Sequence, residues 1–196
     1  IEFFESDRTP GFDINCGIKI GGGCTRKYPQ KTLAIYTRSE FGDSKIHYKI
    51  FPEKKMVEYN NINIRNGGQD WWRAMIRDGV MHTIVANQMN IDYDAYRPMV
   101  LFINGEYWGI HGLREKHNEH YIAGNYNLDP DEIDILKGNA ELVQGSANHY
   151  NQVLNFIKNN DVTTSENYDY IKTQLDIDNY IDYQIAEIYF ANIDWP

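Results

Sequence analysis

Asn104-Gly105, set between the apolar runs Met99-Val100-Leu101-Phe102-Ile103 and Glu106-Tyr107-Trp108-Gly109-Ile110, commits the middle of this chain to a β-hairpin. Both residues of such a two-residue turn take positive φ, which Asn and Gly tolerate and bulkier residues do not. Strand patterns precede it. Residues 12–20 alternate, Gly21, Gly22 and Gly23 give a turn, and 32–38 return as an antiparallel partner, with 46–51 and 57–64 reading as further strands. Asp70 is a good N-cap, and Trp71, Trp72, Met75, Ile76, Val80, Ile84 and Val85 recur at three- and four-residue intervals, so an amphipathic helix is expected over about 70–88. From Glu115 the period turns helical, over 115–123, 147–159, 165–175 and 177 to about 193, and Asp129-Pro130-Asp131-Glu132 is a capped turn with proline at the first helical position. The expected fold is α+β: an antiparallel, sheet-rich lobe with one packed helix over 1–114, then the start of a mainly helical lobe over 115–196.

No repeat or Pro/Ser linker divides the 196 residues, enough for one domain or one two-lobed unit with a real core. The net charge of −9 argues against nucleic acid as a partner, since phosphate neutralisation needs clustered Lys and Arg. The best basic group, Arg26 and Lys27 with Lys31, suits a few ligand phosphates better than a duplex. No apolar stretch approaches the roughly 20 residues of a membrane span, so no membrane insertion is expected. The chain opens on Ile1 in mid-pattern, as a piece of a longer protein would, so the lack of a leader carries little weight. Cys16 and Cys24 lack the paired spacing of a zinc site; if they lie across a hairpin they could form a disulfide outside the cell, but free thiols are the more expected state.

Three segments bear candidate chemistry. In Gly21-Gly22-Gly23-Cys24-Thr25-Arg26-Lys27-Tyr28-Pro29-Gln30-Lys31-Thr32, glycine N–H groups can approach an anion and a lysine at the strand's start can reach phosphate oxygens; a hairpin tip with solvated charges gives the same pattern. The stretch from His111 to His120 holds three His and two Glu, with His117 and His120 on one helix face, but it matches no recognised metal-ligand pattern and reads equally as a charged connection; Glu115 in it can accept hydrogen bonds from a ligand in a cleft. Asn125, Asn127, Asp129 and Asp131 alternate as calcium ligands do, yet Pro130 stands where the turn needs Gly, and helix capping explains them better. At the end of the last helix, Asp194 is placed to take a hydroxyl proton or hold a metal, or to be an exposed terminal carboxylate.

Taken together, Gly22 to Thr32, then Ile64-Arg65-Asn66-Gly67-Gly68-Gln69-Asp70-Trp71 with Arg77-Asp78, then Arg97-Pro98 through Gly109 with Arg114-Glu115, and finally Asn192-Ile193-Asp194-Trp195-Pro196, resemble the CotH kinase family, named for a bacterial spore-coat protein. The resemblance covers nearly the whole chain. It implies an atypical, protein-kinase-like fold whose two lobes clasp ATP with Mg²⁺ or Mn²⁺, and transfer to a Ser or Thr of a secreted, cell-surface or spore-coat protein substrate, hence an extracellular location. By it Lys31 contacts the phosphates, Arg26 supports it beside Gly22 and Gly23, Glu115 lies at the hinge near the nucleoside, and Asp194 orients the acceptor hydroxyl across a crevice from Lys31. The family pattern goes on to an Asn and a metal-binding Asp beyond Pro196, so the chain as given is expected to be catalytically crippled. Two other readings stand beside this one: a surface adhesin or structural module with the same fold, and an extracellular domain whose Trp and Tyr contact sugars.

Overall fold

The alternating segments form short strands in the computed structural model, which describes residues 1–193. In chain order these are β1 (Glu2–Phe4), β2 (Pro10–Asp13), β3 (Gly17–Ile20), β4 (Leu33–Tyr36), β5 (Ile46–His47), β6 (Glu58–Tyr59) and β7 (Asn61–Arg65). Helix α1 (Arg77–Val85) comes next, followed by β8 (Tyr96–Ile103), β9 (Glu106–Arg114) and α2 (Glu119–Tyr126). The ribbon β10 (Ile135–Lys137) and β11 (Glu141–Gln144) precedes α3 (Asn148–Asn159), α4 (Ser165–Gln174) and α5 (Ile177–Tyr189). Antiparallel sheets with five α-helices make an α+β arrangement. The residues fall into two compact units, one of 1–83 with 94–128, the other of 84–93 with the described residues from 129 onward.

In the first unit one five-stranded sheet has the order β3-β4-β7-β9-β8, every pair antiparallel, and α1 lies in sequence between its third and fourth strands. Asn104 (φ 52°) and Gly105 (φ 81°) make the tight turn that their residue types dictate, and Ile103 faces Glu106 across it. Alternation sets what each face does. Leu33 pairs with Ile64 and Ile35 with Ile62, and these buried side chains share a core with Ile46, Ile50, Phe51 and Leu113. Each such side chain taken out of water contributes about 1.5–3 kcal/mol. Phe3 and Phe12 of the β1–β2 hairpin stack at 5.2 Å and pack against this core. The residues in between, Ala34, Asn63, Arg65 and Arg114, lie on the sheet's other face, which is polar there and carries the exposed Val100 and Ile110 further along β8 and β9.

The single helix expected over 70–88 is two pieces, a 3₁₀ helix at Gly68–Trp72 and then α1. Met75 (φ 64°), between the two pieces, is left-handed and interrupts any continuous helix. Asp70 does cap a helix, but seven residues on: its Oδ2 accepts the Arg77 N–H at 3.2 Å, and its Oδ1 pairs with the Arg77 guanidinium at 3.2 Å. The strands read at 46–51 and 57–64 are likewise reduced to β5, β6 and β7, because residues 48–57 turn inward to bury Ile50 and Phe51 rather than pair. The helix read from 115 begins at Glu119, where Asn118 accepts the Tyr121 N–H at 3.1 Å.

In the second unit α3, α4 and α5 lie within a residue or a few of their expected spans. Thr164 and Asp176 cap α4 and α5. Phe156 of α3 meets Tyr170 of α4 at 4.3 Å, and Asp182 of α5 accepts the Asn90 N–H at 2.6 Å. Among the described residues no helix is long and apolar enough to cross a membrane.

Candidate functional site

Four of the residues singled out from sequence, Gly22, Gly23, Arg26 and Lys31, lie in the one connection between β3 and β4. Gly21 N–H donates to Thr32 O at 2.8 Å and closes its base. Gly22 is left-handed at φ 89°, and nothing stands within 4 Å of where a Cβ on Gly23 would lie, so the turn leaves room for a close approach to its backbone. Cys24–Lys27 make one 3₁₀ turn. Lys31 folds back under it, its ammonium donating to Arg26 O at 2.8 Å and Tyr28 O at 2.6 Å. An ammonium has three N–H donors, so one remains for a ligand.

The base of this connection is tied to the sheet. Asn66 donates to Gln30 O at 2.7 Å and accepts from Thr32 Oγ1 at 2.9 Å and Gly68 N at 3.0 Å. Gln30 Nε2 reaches Ile110 O at 2.7 Å and His111 Nδ1 at 3.1 Å, while His111 Nε2 lies 3.1 Å from Lys31 O. The network assigns the His111 proton to Nε2, since Nδ1 accepts. Burial holds the His111 pKa below its ordinary value against the hydrogen bonds to Lys31 and Gly109 that raise it. Trp71, read as a helix residue, instead donates its indole N–H to Gln30 Oε1 at 2.8 Å and stacks on Tyr28 at 5.5 Å. Trp71 therefore braces the glycine-rich connection.

Glu115 lies elsewhere. It follows β9 four residues after His111, about 13 Å along an extended chain. Its side chain is 2% exposed and pairs with Lys54, 7% exposed, at 3.2 Å. Glu115 Oε2 also accepts the Ala95 N–H at 2.9 Å, and Asn125 Nδ2 lies 3.4 Å from Oε1. The carboxylate is internally committed, and a small cleft lined by Met56, Tyr59, Asn61, Glu115, His120 and Tyr121 opens beside it. Asp194 lies outside the described residues.

A second set of charges, of which the sequence marks Arg65, Asp78 and Arg114 only through the family resemblance and without their pairing, lies on the sheet face opposite the core. Asp78 Oδ2 of α1 lies 3.4 Å from Arg65 Nη2 and 3.4 Å from Arg114 Nη1, and Arg114 Nη2 lies 3.4 Å from Asp94 Oδ2. Asp94 pairs with His117 Nε2 at 2.6 Å, and its own N–H donates to His82 Nδ1 at 3.1 Å. Burial pushes the Asp94 carboxyl up, but the His117 hydrogen bond and the charges of His117, Arg114 and His82 outweigh it and hold it below the usual carboxylate range. Burial, with the Arg114 charge, lowers His82 to a pKa of about 4.

The His82 shift has a sign. Between the unfolded value near 6.5 and the folded value of about 4, the unfolded chain binds a proton that the folded chain does not, so stability is lost as pH falls through that window. The full loss is on the order of 3 kcal/mol. Urea titrations at pH 7 and pH 4.5 are expected to show it, and His82→Asn, which keeps an acceptor for Asp94 N–H, to remove the His82 share of the difference and leave that of His111 and Asp94. An unchanged pH slope in the variant would exclude His82 as its source.

The stretch 111–120 does not gather a metal site: His111 serves the glycine-rich connection, His117 pairs with Asp94, and His120 pairs with Glu119 at 3.5 Å. Among the described residues no group of three or more His, Cys, Asp and Glu is arranged to hold a metal ion. Asn127 (φ 57°) ends α2, and Asp129 caps the turn at Pro130–Glu132. Cys16 and Cys24 are both free thiols, at opposite ends of β3 and its following turn. Residues 18–196 match the family model described as CotH kinase protein. No curated protein matches the chain.

Proposed function

The chain belongs to the CotH kinase family, and on that premise we propose that it is part of a CotH-like, atypical Ser/Thr protein kinase that transfers the γ-phosphate of ATP to a secreted, cell-surface or spore-coat protein. What supports the reading is the connection between β3 and β4: an open glycine turn, one basic 3₁₀ turn, and a lysine beneath it with a donor to spare. Protein kinases cover the ATP phosphates with a glycine-rich hairpin loop and contact them with a lysine. In this proposal the backbone N–H groups of Gly22 and Gly23, the Arg26 guanidinium and the third Lys31 N–H take phosphate oxygens. Glu115 fixes the backbone where the chain leaves the sheet, and the cleft beside it receives the nucleoside.

Asp194 is the proposed group that orients a Ser or Thr hydroxyl and accepts its proton as the oxygen bonds to the γ-phosphorus and ADP departs. Mg²⁺ or Mn²⁺ supplies neutralisation of phosphate charge in such reactions. Among the described residues no group of three or more His, Cys, Asp and Glu is arranged to hold it. Calorimetric titration with ATP and Mg²⁺ or Mn²⁺ tests the site. Binding is expected, weakened about tenfold or more by Lys31→Ala, the loss typical of a hydrogen bond to a charged group. Absence of binding, or equal binding by the variant, would contradict the assignment.

A further inference from the structure

The Arg114 side chain is 1% exposed, yet none of its three nitrogens makes a hydrogen bond among the described residues. Buried polar groups are nearly always hydrogen-bonded, and a buried charge persists only where opposite charge surrounds it. Here the compensation is two carboxylates at 3.4 Å, Asp78 on one side and Asp94 on the other. The geometry makes Arg114 a tether between α1 and the sheet. The contact is tight as well as charged: a Cβ on Gly79 of α1 or on Gly112 of β9 would come within 2.5 Å and 2.7 Å of the Tyr96 ring between them.

The same Asp78 oxygen also holds Arg65, and Arg65 is different. Its side chain is 40% exposed. Leu33 pairs with Ile64, so Arg65 falls one step further, beside Thr32 at the foot of the glycine-rich connection. The next residue, Asn66, is bonded to Gln30 and Thr32 of that connection. A third-strand cation paired with a helix carboxylate is general to protein kinases, and arginine adds a planar fork suited to phosphate. The buried second arginine is what this chain adds.

We infer that Arg114 is a positioning residue: its buried guanidinium fixes Asp78, which aims the exposed Arg65 guanidinium as a further phosphate-contacting cation beside the glycine-rich connection. The inference rests on the nucleotide reading above. A lysine at 114 keeps the charge but offers one compact ammonium, which cannot bridge Asp78 and Asp94 as a fork does.

The test is a double-mutant cycle on ATP affinity, measured by calorimetry with Mg²⁺ for the wild type, Arg65→Ala, Arg114→Lys and the double variant. Arg65→Ala is expected to weaken binding about tenfold. Arg114→Lys is expected to weaken it several-fold in the wild-type background and by less than twofold once Arg65 is absent. Should Arg114→Lys fail to fold, Asp78→Asn takes its place, with the same expected dependence on Arg65. Wild-type binding with no loss in Arg65→Ala overturns the inference and leaves the nucleotide reading standing. Equal losses in both backgrounds also overturn it, because Arg114 then acts on the fold alone. No binding by the wild type removes both.

Discussion

Glu115→Gln should lower the unfolding free energy by about 3–5 kcal/mol, because it removes the carboxylate charge that faces the buried Lys54 ammonium at 3.2 Å. The variant keeps the shape of the side chain, so packing changes little. What it loses is charge and one accepting oxygen. Glu115 Oε2 receives both Lys54 Nζ and the Ala95 N–H, and Oε1 faces the Asn125 amide, so an NH₂ group at either position meets another donor. Lys54 retains Asn125 Oδ1 at 3.2 Å and the Tyr121 ring at 5.4 Å, which do not replace a carboxylate. Urea unfolding followed by tryptophan fluorescence reads this unit, since Trp71, Trp72 and Trp108 all belong to it. Removing both charges with Lys54→Met and Glu115→Gln should cost less than the sum of the single changes. A Glu115→Gln loss under about 1 kcal/mol would mean that water reaches the pair.

Phe51→Ala should cost about as much, 3–5 kcal/mol, for a different reason. Phe51 is 0% exposed, meets Tyr59 edge-on at 5.8 Å, and sits in the core with Ile46, Ile50, Ile62 and Ile64. Truncation opens a cavity beneath the centre of the sheet, whose strands cannot close on it without breaking register. Phe51→Leu, which keeps most of the volume, should lose less than half as much by the same urea measurement. Equal losses would show that the ring is not packed as described.

Elements fixed by local chemistry are legible in the sequence. Asn104-Gly105 needs only its own φ preferences and two apolar flanks, and both strands follow, longer than expected at eight and nine residues. Helices α4 and α5 carry their own caps, and α3 its own period. The glycine-rich connection was legible for the same reason, since Gly22, Gly23, Arg26 and Lys31 are neighbours in sequence. Residues 70–88 were misread because Trp71 answers to Gln30 and Tyr28, some forty residues earlier, and not to a helix face. Arg65, Asp78 and Arg114 stand in segments that carry the family resemblance, but their pairing with one another and with Asp94 is not legible in sequence, for a similar reason. Arg65, Asp78, Asp94 and Arg114 are drawn together by strand register and by the approach of α1, and none sits at a spacing that announces a partner. Glu115 was noticed, but its partner Lys54 stands in an irregular segment that no periodicity marks.

Mapping backbone amide shifts by NMR as ATP and Mg²⁺ are added asks where the nucleotide phosphates go. Shifts concentrated at Gly22, Gly23, Arg26, Lys31 and Arg65, and reduced in Lys31→Ala, are the predicted result. Saturating nucleotide that leaves residues 21–32 unmoved, or that moves only α3, α4 and α5, would contradict phosphate binding by the glycine-rich connection.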